Sequence, residues 1–255
     1  MKKVILFLSV IGITLMMTSC LGEGGNNYTD SSFVYLSMDG RGQIYGKTFS
    51  RYSSHTRLIT SNSMMTMDPG TFKFMVYSWD EANGTAPITI NGQSYDADVV
   101  QLADKGIDIS KTYLYLEELP EVENPVGFDD ILAPLYTNSK SFMNDYWVVE
   151  YAYSAKKGER AQIEFYKRNE LNDKGEIVID IHLTLSGTPE GTTVEKRGDA
   201  IALDMSDLRA MSEGSTQGKE LKIRFMYYKN KGDNDTEPEM VESQNVYQWK
   251  IDEES

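Results

Sequence analysis

Carboxylates dominate the reactive groups of this 255-residue chain, which carries 39 acids against 25 bases, two histidines and one cysteine. Acidic pairs therefore arise by chance, and each has to be weighed by what stands beside it. Asp96 and Asp98 flank Ala97 in YDADVVQL; on a strand they project to one face, the placement a glycosidase needs across a sugar, although spacing in sequence does not set their distance in space. Asp233, Asp235 and Glu237 occupy positions 1, 3 and 5 of a calcium-loop pattern. Pro238 replaces the required glycine and Gln244 the closing acid, so a solvated acidic loop is the better account. His55 lies in the polar turn RYSSHTR and His182 on the outward side of a strand, neither with a second histidine or a cysteine nearby, and no zinc site is expected. Gly46-Lys47-Thr48 spells the end of a phosphate loop, but Gly42 is one residue out of register and a strand follows. With no G-x-S-x-G elbow either, the expectation is a non-enzyme with no catalytic residue, no cofactor and no metal.

The single cysteine is the exception to this blandness. Cys20 stands directly behind Met1-Lys2-Lys3 and the apolar run Val4 to Met17. A short basic segment followed by a run of that length is a secretory signal, too short for a comfortable membrane span. The sequence Met17-Thr18-Ser19-Cys20 resembles the lipobox of bacterial lipoproteins, which implies cleavage before Cys20 and its acylation. One acyl chain binds a bilayer marginally, whereas two or three hold it stably. The mature chain then has no cysteine left for a disulfide, so a hydrophobic core must hold it together. Its formal charge of −14, more negative once Lys2 and Lys3 are removed, repels nucleic acid and gives no basic patch for anionic lipid.

The elements that would position any site are strands. Residues 20–32 (CLGEGGNNYTDSS) read as a flexible tether. From Phe33 a period of two prevails: FVYLS, QIYGKTF, RLIT, TFKFMVYSW, YDADVVQL and TYLYLEEL, separated by Gly, Asn, Ser and Pro clusters. Phe72, Phe74 and Val76 share one face. These strands place a small barrel over residues 33–119. Pro120, Pro125 and Pro134 then interrupt any ladder, giving a connector over 120–140 with one helical turn at Asp129 to Leu132. Alternation resumes over 141–255. Trp147, Val149, Tyr151 and Tyr153 share a face, and Ile177, Ile179, Ile181, Leu183 and Leu185 mark the cleanest one-face-buried strand. Turn chemistry between them fits antiparallel hairpins of a β-sandwich.

The stretches SCLGEGGNNYTDSSFVYL, TRLITS, NPVGFDDILAPLY and NDYWVVEYAYSAKKGERAQIEFY resemble those of NigD-like lipoproteins of Gram-negative anaerobes, over nearly the whole mature chain. The resemblance implies an all-β protein, an N-terminal OB-type barrel followed by a C-terminal antiparallel β-sandwich. It also implies an outer-membrane lipoprotein associated with a bacteriocin gene cluster and an immunity role. Leu21 after Cys20 fits sorting to the outer membrane, and only one acid, Glu23, follows within five residues.

The 16 tyrosines and three tryptophans are the one excess that suits recognition, since such rings join apolar area to a polar handle. Core filling is the favoured account of those in Asn144 to Ser154, as it is of Met64, Met65 and Met67. Two readings follow. In the first, the protein is a lipid-anchored interaction module whose partner, beyond the bilayer itself, is an envelope protein or a bacteriocin. The alternative is a glycan-binding accessory lipoprotein.

Overall fold

In the computed structural model the described residues are 27–51, 56–138, 140–213, 220–231 and 237–251. Strands account for most of them, as the alternation requires. The chain divides into two compact units, Met1–Ser110 and Lys111–Ser255.

The first unit contains β1 (Asn27–Met38), β2 (Ile44–Phe49), β3 (Leu58–Thr60), β4 (Phe72–Asp80), β5 (Thr85–Ile90), β6 (Gln93–Val99) and β7 (Gln101–Leu102). It also holds the first residues of β8 (Ile107–Tyr115), within which the division falls. β1 pairs antiparallel with both β2 and β4, and β2 with β3. β3 runs parallel to β6, while β7 lies antiparallel to β4. Val100 joins β6 to β7 and donates its N–H to the Thr60 carbonyl at 2.9 Å. β6 and β7 thus act as one strand, and the ring β1–β2–β3–β6/β7–β4 closes on itself. A five-stranded closure of this kind is the OB-type barrel. Its interior holds Val34, Leu36, Ile44, Ile59, Met75, Tyr77 and Val100. A 3-10 turn, Asn62–Thr66, drops Met64 into that interior. Gly46 makes room for it: a Cβ there would collide with Val34 Cγ1 and sit 3.0 Å from Met64 Cε. Phe72, Phe74 and Val76 do share a face, but the interior takes Met75 and Tyr77, and Phe72 and Phe74 pack on Tyr35 and Phe33 instead.

The strand at one end of this sheet, β5, is protected. Pro87 offers no N–H, and the N–H and C=O of Thr89 are both engaged by the turn at Asp39 and Gly40. Both devices discourage strand addition.

The second unit takes the rest of β8 and adds β9 (Phe128–Ile131), β10 (Tyr146–Lys156), β11 (Arg160–Leu171), β12 (Ile177–Ser186), β13 (Val194–Asp204), β14 (Glu220–Lys229), β15 (Glu239–Glu242) and β16 (Tyr247–Lys250). The all-β body that the alternation calls for is here, and its layers are joined at both edges. Neighbour by neighbour, β8, β11, β12, β14, β9, β10 and β13 complete a ring of seven, with β15 and β16 bonded outside it. Hairpin partners pair antiparallel, but β11–β8, β12–β14 and β14–β9 are parallel. Trp147, Val149, Tyr151 and Tyr153 all point into one core with Phe165, Ile179, Ile181, Leu183, Phe225 and Trp249. Trp147, Tyr151 and Tyr153 are therefore core residues, as their spacing led us to expect, while Tyr146 is only partly buried.

Several local expectations change. β1 already starts at Asn27, so residues 27–32 of the expected tether are strand, held by pairing with β4. The expected helical turn at Asp129 to Leu132 is β9: Phe128 is wholly buried, and the segment pairs with β10 between Pro125 and Pro134. The connector therefore contains a strand of the ring. Burial on β12 is two-sided in its first half, because Val178 and Asp180 are buried as well as the isoleucines. The short helix Ser206–Glu213 had no apolar periodicity to announce it, and its signal was Asp204, whose carboxylate accepts from the Ser206 N–H.

Candidate functional site

The turn between β1 and β2, Asp39 to Gln43, is built around one carboxylate. Asp39 Oδ1 accepts from the N–H groups of Arg41 at 2.8 Å and Gln43 at 2.9 Å, and Oδ2 accepts from the N–H of Thr89 at 3.2 Å. Gly42 has φ +85°, a conformation that suits glycine in such a turn. Burial would raise the Asp39 carboxyl, but the three backbone donors outweigh it and hold the group below its ordinary value. One side chain thus clamps the β1–β2 turn to β5, fifty residues away.

Beside this clamp lies an open cleft of about 430 Å³, lined by Arg41, Gln43, Thr60, Ser61, Met65 and Val99 among others. Gln43 donates its amide to the Thr60 hydroxyl at 3.3 Å, and that hydroxyl donates to the Ile44 carbonyl at 3.1 Å. Arg41 is exposed and Met65 is 55% exposed, while Met64 and Met67 are in the core. The cleft offers a cation, amide and hydroxyl groups, and a pliable apolar side chain on rigid supports, the equipment for holding a ligand. It also stands where OB-type barrels bind, between the loop after the first strand and the segment before the last.

Asp39 gives the first testable consequence. Its folded carboxyl titrates below its unfolded value, so its contribution is complete above the ordinary carboxylate range and is lost as pH falls below that range through the depressed folded value. Asp39→Asn is expected to cost about 1–2 kcal/mol at pH 7, because a neutral amide oxygen is a weaker acceptor for the backbone donors. Urea midpoints measured at pH 7 and pH 3 should differ more between the two proteins at pH 7 than at pH 3.

The other residues singled out by sequence fall as follows. Asp98 accepts from the Tyr28 hydroxyl at 2.6 Å and from Arg57 at 3.4 Å, while Asp96 is exposed one pleat away. The Arg57 guanidinium lies 4.2 Å above the Tyr28 ring, which also meets Trp79 at 5.5 Å and Tyr77 at 6.3 Å. Burial and the Asp98 carboxylate push the Tyr28 phenol far above its usual value, so this cluster fastens β1 rather than poising a proton. His182 does lie on the outward side of β12, with Nδ1 3.8 Å from Glu164. Lys47 is mid-strand and buried, with the rings of Tyr35 and Tyr45 each within 6 Å, and burial brings its amine down to about 8. Gly46-Lys47-Thr48 is therefore strand β2 and no phosphate loop. Cys20, His55 and the acids at 233 and 235 lie outside the described residues.

Sequence reasoning considered GRGQIYG only as a phosphate loop and so missed the cleft. The available signal was the Asp39-Gly40-Arg41-Gly42 turn itself, a short acidic and glycine-rich loop between two strands.

No protein-family model and no curated protein matches this chain. Solved structures do. A protein from Parabacteroides merdae matches with a TM-score of 0.61 at 13% identity, covering 88% of this chain and 100% of that one. A protein of unknown function from Bacteroides vulgatus matches at 0.54 and 12% identity, over 89% and 93% of the two chains. One described as a candidate lipoprotein, from Bacteroides fragilis, matches at 0.50 and 11% identity, over 88% and 98%. The chain shares the fold of these proteins. The likeness spans both units, so the two-barrel arrangement in sequence is a recurring one. Among the described residues, no helix is long and apolar enough to cross a membrane.

Proposed function

We propose that this chain is a lipid-anchored outer-membrane lipoprotein of the NigD-like kind, acting as a non-enzymatic interaction module. The observation that carries the reading is the position of Cys20. A lipobox-like MTSC is followed only seven positions later by Asn27, the first residue of β1. Even fully extended, that interval reaches about 25 Å. An acylated Cys20 would keep the first barrel close to the bilayer surface, with the cleft beside Arg41 as the place to receive a partner. Likeness of fold to the candidate lipoprotein supports this, as does a further match, at a TM-score of 0.51 and 8% identity, to a Parabacteroides distasonis protein described as toxin-related. The partner on this reading is an envelope protein or a bacteriocin.

Labelled palmitate tests the anchor directly. The wild-type protein should carry label and fractionate with the outer membrane, and Cys20→Ala should do neither; label retained by the alanine variant would sink the proposal. Deleting the gene and measuring bacteriocin sensitivity then separates immunity from other partnerships, since unchanged sensitivity removes immunity.

A further inference from the structure

The second unit carries a feature that folding does not ask for. Along β8, Leu114 enters the core, and the alternation turns Tyr113 and Tyr115 outward on one face. Tyr113 is 69% exposed and Tyr115 40%. β11 runs parallel beside this strand with Tyr166 opposite Tyr115, and the two rings stack at 4.9 Å. The Tyr166 hydroxyl donates to Glu164 at 3.1 Å, and His182 on β12 faces the same carboxylate. Three rings thus lie on adjoining strands, bordered by an acceptor and an imidazole.

The charges around the rings are largely spoken for. Arg168 makes two 2.8 Å hydrogen bonds to Asp180, and the Lys111 ammonium lies 4.8 Å from the Tyr146 ring centroid. Glu117 and Glu118 follow the strand end, within a chain of charge −14, and would repel a polyanion. What remains is the exposed ring area of Tyr113 and Tyr115, Tyr166 itself being only 9% exposed, with hydrogen-bonding groups at its border. A pyranose ring matches that surface, because its C–H face is apolar and its rim is hydroxyl.

We infer that the outward face of β8 and β11 binds a neutral polysaccharide, with sugar rings stacked on Tyr113 and Tyr115 and hydroxyls bonded to Glu164 and His182. The site belongs to the second unit alone and stands or falls separately from the cleft on the first.

Affinity electrophoresis of the purified protein through gels containing mannan, xylan or dextran tests this. At least one of these neutral polymers should retard the protein. Tyr113→Ala should weaken the apparent affinity about tenfold, the scale of one lost ring contact, while Tyr113→Phe should keep most of it. Tyr113 is mostly in solvent, so its truncation should leave the circular dichroism spectrum and melting curve unchanged. Met65→Ala, in the cleft, should bind the polymer as the wild type does, whatever becomes of the cleft's own partner. Absence of retardation by all three polymers overturns the inference, as does retardation indifferent to Tyr113→Ala. Binding only to dextran sulfate or only to polylysine overturns it too, by assigning the face to a polyion.

Discussion

Replacing Arg209 with methionine is expected to cost the second unit about 3–5 kcal/mol and to lower its melting midpoint by about 10 °C. Arg209 sits on the helix Ser206–Glu213 and is only 3% exposed. Its Nε donates to Asp145 Oδ1 at 2.6 Å, Nη1 to the Ile251 carbonyl at 2.7 Å and Nη2 to the Asn138 carbonyl at 3.1 Å. The guanidinium also lies 4.5 Å from the Trp249 ring. One side chain therefore joins the helix to the start of β10, to the end of β16 and to the segment before β10. Removing it leaves the Asp145 carboxylate buried, and an uncompensated buried charge is far costlier than a lost pair. Asp145 adopts φ +64° and its neighbour Asn144 φ +51°, so this turn is strained as well. The double variant Arg209→Met, Asp145→Asn keeps a residue that tolerates the left-handed conformation and removes the charge, and should regain much of the loss. A midpoint within about 2 °C of wild type for the single variant would show the clamp to be dispensable.

Arg224→Met should be comparably damaging, and its effect should depend on pH. Arg224 on β14 grips Glu176 with two hydrogen bonds, 2.6 and 3.0 Å, and donates a third to the Ser243 carbonyl at 2.9 Å. Asn172 also donates to Glu176, closing the turn between β11 and β12. The Arg224 hydrogen bonds, followed by that from Asn172, lower the Glu176 carboxyl from 4.5 to about 2. A depressed folded pKa contributes stability above the unfolded value, which is lost as pH falls from about 4.5 towards 2. Without Arg224 the carboxylate is buried with a weaker partner, so the variant loses about 3–5 kcal/mol at pH 7. As pH falls the wild type gives up its advantage while the variant's carboxyl takes up a proton, and the two curves should converge. Guanidinium midpoints at pH 7 and pH 3 measure this; an equal gap at both would place the effect in lost packing instead of charge.

The strands were the legible part. Ile177 to Leu185 and Trp147 to Tyr153 alternate because one side of each faces a core, and periodicity reports that environment directly. β9 was illegible for the opposite reason. Four residues between prolines carry too little pattern, and only their pairing with β10 makes them a strand. The clamps were hidden as well. Asp39 and Thr89 are fifty residues apart, Glu176 and Arg224 forty-eight, Asp145 and Arg209 sixty-four. Nothing local distinguishes such an arginine or carboxylate from the many on the surface of an acidic chain.

The same division holds for function. The order of residue types along the chain is all that the proposed acylation of Cys20 rests on, because a lipobox-like stretch is a pattern of neighbours and not of a fold. Order is also enough to make the protein all-β, since a period of two is a property of neighbours. Which surfaces could meet a partner was decided only by closure of the two rings. The five-stranded ring brings Arg41, Thr60 and Met65 to one cleft, and the seven-stranded ring lays Tyr166 beside Tyr115. It also sends Trp147 inside and leaves Tyr113 out, although both are aromatic residues on strands of similar pattern. A ring has an inside, and a residue's side of it depends on strand register set across long stretches of chain.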